Sequence, residues 1–88
     1  MAVAELVPFT EGRADSTEQT VASGSFHTII PRFNGSFGKV TVSLVDSDGN
    51  LWLIKTLSGR DTKQDENQVR GPASYIVSVR NAGADLVT

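Results

Sequence analysis

After its first twenty residues, polarity along this chain alternates with a period of two. Nowhere does it keep a period of 3.6 over the ten or more residues that a helical crossover between parallel strands needs. In "KVTVSLVD" (39–46), Val40, Val42 and Leu44 alternate with Thr41, Ser43 and Val45. In "ASYIVSVRN" (73–81), Tyr75, Val77 and Val79 alternate with Ser74, Ile76, Ser78 and Arg80. "SFHTIIPRF" (25–33) and "LWLIKTLS" (51–58) are equally rich in branched and aromatic residues, and weaker strands are expected at "EQTVAS" (18–23) and "ADLVT" (84–88). Each alternating run carries one mostly apolar face, the pattern of a sheet packed on one side. "LWLI" is apolar on both faces, which predicts a central strand, or one whose outer face meets a second sheet or a partner. The connectors "NGSFG", "DSDGN" and "NAG" read as hairpin-like turns. The expected fold is all-β: a small antiparallel β-sandwich or barrel over residues 21–88, with an extended N-terminal arm over residues 1–20.

A chain of 88 residues builds one domain with a thin core, burying about 60% of its unfolded surface. It has no cysteine, so neither disulfides nor thiolate zinc can supplement that core, and help from neighbouring subunits is expected. With 39% hydrophobic residues, 20% charged residues and a formal net charge of -2, it has the profile of an ordinary folded polypeptide. Its basic residues stand singly, without the basic-aromatic interleaving that follows a phosphate backbone, so no nucleic-acid partner is expected. "MAVAELVPFTEG" has no basic leader and is broken by Glu5 and Pro8, so it reads as neither signal peptide nor membrane span. Use in a cytoplasm, or in a particle assembled there, is the corresponding expectation.

The first twenty residues carry Glu5, Glu11, Asp15 and Glu18 against Arg13 alone, and hold no sustained period. A short helix at 2–7, ended by Pro8, is compatible with them. Val3, Leu6, Val7 and Phe9 are too many apolar residues for a solvating tail, and they are expected to contact a partner.

"DSDGN" places Asp46, Asp48 and Asn50 like the opening of a calcium loop. An EF-hand, however, needs a bidentate glutamate at the twelfth position, where this chain has Leu57. The stretch is therefore expected to be a hairpin corner, with Gly49 supplying positive φ. His27, the only histidine, has no second histidine or cysteine to share a metal and no nucleophile at motif spacing, and is expected to be structural. The carboxylates of "DTKQDEN" sit in the most polar stretch, with little desolvation to raise a pKa. No catalytic, cofactor-binding or metal-ligating residue is assigned. Trp52, inside the most hydrophobic tetrapeptide, is expected to be a core residue or an interface anchor.

A tryptophan-bearing strand after an Asp-Gly hairpin is followed by a polar loop and then by Gly71-Pro72, Ser74-Tyr75, Val77, Val79, Asn81 and Gly83. Over residues 21–88 this order resembles small phage virion proteins built as β-sandwiches. The resemblance implies a capsid-decorating or capsid-stabilising subunit of the virion, homo-oligomeric and in some cases trimeric, bound to major capsid or other virion protein, and without catalytic residues or cofactors. The alternative expectation is a small carbohydrate- or ligand-binding β-module, for which an exposed Trp52 in a polar groove would speak.

Overall fold

The computed structural model describes residues 3–35, 37–59 and 67–88. Seven strands run through them: β1 (Val3–Asp15), β2 (Gln19–Val21), β3 (Phe26–Phe33), β4 (Lys39–Val45), β5 (Leu51–Ser58), β6 (Gln68–Arg70) and β7 (Ala73–Val87). All pair antiparallel in one sheet of order β5-β4-β7-β3-β6, with β1 and β2 also paired to β7, and the sheet curls into a half-barrel. The all-β expectation holds.

β7 organises the sheet. Its 15 residues at about 3.3 Å each would span about 50 Å if straight. The molecule's longest dimension is 35 Å, so the strand must bend. The bend falls where Asn81 has φ 50. On one edge of β7, β4 pairs with residues Tyr75 to Arg80, and β3 then takes over from Ala82 to Val87. On the other edge, β1 and then β2 follow the whole strand, joined through Ser16, whose backbone N–H donates to the Val77 carbonyl while its Oγ accepts from the Val77 N–H. The two halves then face each other. Glu5 of β1 accepts hydrogen bonds from Gln19 and from Thr17, a meeting that only a folded-back sheet allows for residues at opposite ends of one long path.

Asn81, the one non-glycine residue at positive φ among the described residues, also resets which side chains point inward. Before it Tyr75, Val77 and Val79 are buried; after it Ala82, Ala84 and Leu86 are. One unpaired step lets an odd-numbered and an even-numbered apolar set line the same interior. Ile29, Val40, Val42, Leu57 and Val69 complete that core from the other strands, together with Val7 and Val21.

Several local expectations change. "NAG" is not a turn between strands but the bend within β7, because a long strand with partners on both edges loses more by breaking than by kinking. "NGSFG" does not close a hairpin: β3 and β4 pair in succession with β7 rather than with each other. Of the helix expected at 2–7, residue 2 lies outside the described residues, and residues 3–7 are instead drawn onto the edge of β7, where Val7 reaches the core. Residues 3–15 and 19–20 of the expected arm thus lie in the sheet. "LWLI" lies on β5, which pairs only with β4 among the described residues, so it is an edge strand and not a central one.

Candidate functional site

The corner at 46–50 shows how β5 is presented. Gly49 has φ 83 and donates its N–H to the Asp46 carbonyl at 3.0 Å, while Asp46 N–H donates to the Asn50 carbonyl at 3.0 Å. One carboxylate oxygen of Asp46 accepts the backbone N–H groups of Asp48 (2.9 Å) and Asn50 (2.8 Å); the other accepts the indole N–H of Trp52 at 2.9 Å. These bonds, the Trp52 one foremost, hold the Asp46 carboxyl below the usual aspartate range. The carboxylate is thus occupied as a turn cap and as a tether for the tryptophan. No cluster of three or more His, Cys, Asp or Glu that could hold a metal is found among the described residues.

Two outcomes are expected from this arrangement. Calorimetric titration with calcium should show no binding tighter than millimolar. Asp46→Ala should lower the fluorescence anisotropy of Trp52 by freeing its ring, whereas Asp48→Ala should leave it unchanged. Because the folded carboxyl is the stronger acid, its contribution to stability is present above the ordinary aspartate pKa and is lost as pH falls through the lowered one.

Beyond the corner, Leu51, Trp52, Leu53 and Ile54 are 58%, 61%, 63% and 47% exposed. A contiguous apolar run on an unpaired edge is what natural sheets guard against with charges, proline or bulges. Here the guards are a register shift at the end of the run, where Ile54 is the extra residue between Leu53 opposite Ser43 and Lys55 opposite Val42, and the charge of Lys55 itself. Leu51 and Leu53 point to the outer face, opposite Val45 and Ser43, while Trp52 sits opposite Leu44 on the inner side, at the rim of the core.

The outer face of the sheet beside Leu51 and Leu53 is cationic. Arg13 of β1 lies opposite Arg80 of β7, which lies opposite Lys39 of β4, which lies opposite Ser58 of β5. Three like charges abreast destabilise a sheet. Arg13 reaches Asp15 at 3.4 Å, while Lys39 and Arg80 make no ion pair among the described residues. The three line one open groove with Thr41, Leu51 and Leu53.

A second group of polar side chains is interior. The Tyr75 hydroxyl and His27 Nδ1 share a hydrogen bond of 2.8 Å, with the rings edge to face at 5.6 Å. Both residues are buried. Burial and the nearby negative charge of Glu5 push the Tyr75 hydroxyl up to about 12. It stays protonated at neutral pH, and the pair ties the first half of β7 to β3 across the half-barrel, which fits the structural role expected of His27. The unfolded chain releases this proton near pH 10, and the folded one near 12, so stability is complete below about pH 10 and declines above it. The loss by pH 12 is on the order of 2 kcal/mol. Tyr75→Phe should abolish this alkaline step and cost about 1–3 kcal/mol at pH 7 by leaving buried His27 without its partner; urea titrations at stepped pH read both.

The residues singled out from sequence do not gather at one place. Val7 is buried in the core, Leu6 and Phe9 are exposed on β1, and Val3 lies on β1 opposite Val87. Between β1 and Trp52 on β5 lie β7 and β4. Asp61, Asp65 and Glu66 of the polar loop lie outside the described residues. The cationic row was missed because Arg13, Lys39 and Arg80 are far apart in the chain, and only the register of three strands aligns them. Comparison with protein-family models, curated proteins and solved structures finds no match.

Proposed function

We propose that this chain is a non-enzymatic structural subunit that attaches to a larger protein assembly through β5. The assembly suggested by the resemblance is a virus particle, with major capsid or other virion protein as the partner. The observation that carries the reading is the uncharged, exposed run Leu51–Ile54 on a strand edge that has no partner strand among the described residues, with Trp52 held in place by Asp46. An edge strand offers unpaired backbone donors and acceptors, and flanking apolar side chains supply affinity when a partner strand or surface covers them. Mechanistically this is mass action: a subunit that binds only the assembled state lowers the free energy of that state.

Density-gradient sedimentation with intact particles tests it. Wild-type chain should travel with the particles. Leu53→Lys and Trp52→Ala, whose folding is checked by circular dichroism, should remain in the soluble fractions. Variants that travel as well as wild type would remove β5 from the account, and a wild-type chain that never travels with particles would remove the virion.

The exposed ring of Trp52, beside a shallow groove lined by Leu44, Val45, Pro72, Ala73 and Ser74, favours one other reading: a small carbohydrate-binding module. Saturable quenching of Trp52 fluorescence by oligosaccharides would support that reading in place of the first.

A further inference from the structure

We infer that the groove on the outer face beside β5 takes an acidic, partly apolar peptide segment of the partner protein. Two of its carboxylates reach Lys39 and Arg80, while its apolar side chains cover Leu51 and Leu53. The inference rests on the docking reading, since the two leucines belong to both, and names the chemistry of what docks. Three observations point to such a segment.

The first is charge. Arg13, Arg80 and Lys39 stand level on β1, β7 and β4, so their backbones lie about 5 Å apart from strand to strand and their like charges repel. Asp15 answers Arg13 at 3.4 Å. Lys39 and Arg80 are both exposed and have no carboxylate partner among the described residues. The free sheet thus carries a repulsion that two incoming carboxylates relieve.

The second is shape. Outward from Lys39 along β4 come Thr41 and Ser43, and Ser78 of β7 lies beside Thr41, whose hydroxyl donates to the Ser78 carbonyl at 3.4 Å. These short side chains form a low floor between the cations and the leucines, in a groove of about 400 Å³. Ser43 is four residues from Lys39, about 13 Å along an extended strand, and Leu53 stands opposite Ser43. An extended segment laid along β4 meets both ends when its acidic and apolar side chains are four residues apart, and at that spacing they share a face.

The third separates a protein segment from a nucleic acid. No aromatic ring lines the groove, so a base has nothing to stack on. The row crosses the strands, spans about 10 Å from Arg13 to Lys39 and has Asp15 beside its β1 end, too short a track for a phosphate backbone. The chain as a whole has a formal net charge of -2, which repels a long polyanion but admits a short acidic segment.

Fluorescence polarisation tests this with a labelled seven-residue peptide, titrated with the full chain. The peptide has glutamate at its first and third positions, leucine at its fifth and seventh, and serine between. At about 50 mM salt it should bind with Kd about 100 µM, and about 5-fold more weakly at about 500 mM. Glutamine in place of both glutamates should weaken binding at least about 10-fold, and serine in place of both leucines about 5-fold. The double variant Lys39→Gln, Arg80→Gln should also lose at least about 10-fold, while its melting temperature stays level or rises because two like charges are gone. Lys39→Glu with Arg80→Glu should reverse the preference, toward the peptide with lysine for glutamate. A wild-type Kd weaker than about 1 mM, indifference to the glutamine peptide, or indifference to the double glutamine variant would each overturn the inference. Tighter binding of oligothymidylate than of the peptide would overturn it as well, giving the row to phosphate. The particle assay is read separately: a chain that travels with particles but ignores the peptide loses only the acidic segment, and one that binds the peptide but never travels loses only the virion.

Discussion

Deletion of residues 1–15 is expected to abolish cooperative folding. β1 occupies one edge of β7 from Ser78 to Val87, and Val7 is part of the core. Removing it strips backbone partners from the strand around which every other strand is arranged. It also removes Glu5, which accepts from Thr17 and Gln19 across the fold. A domain of this size has a total stability of only about 5 kcal/mol or somewhat more. Leaving buried backbone groups unpaired and a core position empty exceeds that margin. Urea titration followed by Trp52 fluorescence should show a gradual, non-cooperative change in the truncated chain. A point variant gives the graded version. Val7→Asp buries an unpaired carboxylate and should cost at least about 3 kcal/mol, whereas Phe9→Ala, at an exposed position on the same strand, should cost less than about 1 kcal/mol.

Gly71→Ala should be the most damaging substitution of a single small residue. A Cβ at Gly71 would stand 2.7 Å from the carbonyl oxygen of Val21 and closer still to that of Ala22. Both obstacles are backbone, fixed where β2 pairs with the start of β7 and where Gly71 donates its N–H to the Ser25 carbonyl at 2.9 Å. Neither can yield by changing a rotamer, so the strand entry must move, at a cost of more than about 3 kcal/mol. Gly49→Ala is the control. Its Cβ would meet open space, and the cost is the φ of 83 alone, about 1 kcal/mol. Thermal unfolding of the two variants, compared with wild type, reads the difference directly.

The inward face of β4 and of the first half of β7 was legible because Val40, Val42, Tyr75, Val77 and Val79 keep a strict period of two that burial follows. The second half of β7 was not, for a physical reason. Asn81 shifts the inward set by one residue, so Ala82, Ala84 and Leu86 fall out of phase, and a broken alternation looks like the end of a strand. β1 was hidden for a related reason. Its register with β7 shifts three times, and each shift erases the period that would have marked it as a strand. "LWLI" was compatible with a central strand as well as with one meeting a second sheet or a partner, because hydrophobicity on both faces usually means burial on both. An edge strand awaiting a partner carries the same composition, and only the strand order separates the two. The Asp46 tether on Trp52 was invisible for a different reason: the sequence gives the turn, but not which oxygen of the cap reaches across it.

The central claim is that the outer edge of β5 is covered when this subunit is in its working state. Amide hydrogen exchange, measured on the free chain and on the chain bound to intact particles, tests it most directly. The account predicts that backbone amides within Leu51–Ile54 exchange freely in the dilute free chain and become at least about 10-fold slower when bound, while those of β6 and β3 are unchanged. Equal exchange at Leu51–Ile54 in the free and bound chain, with protection appearing instead on another strand, would contradict it.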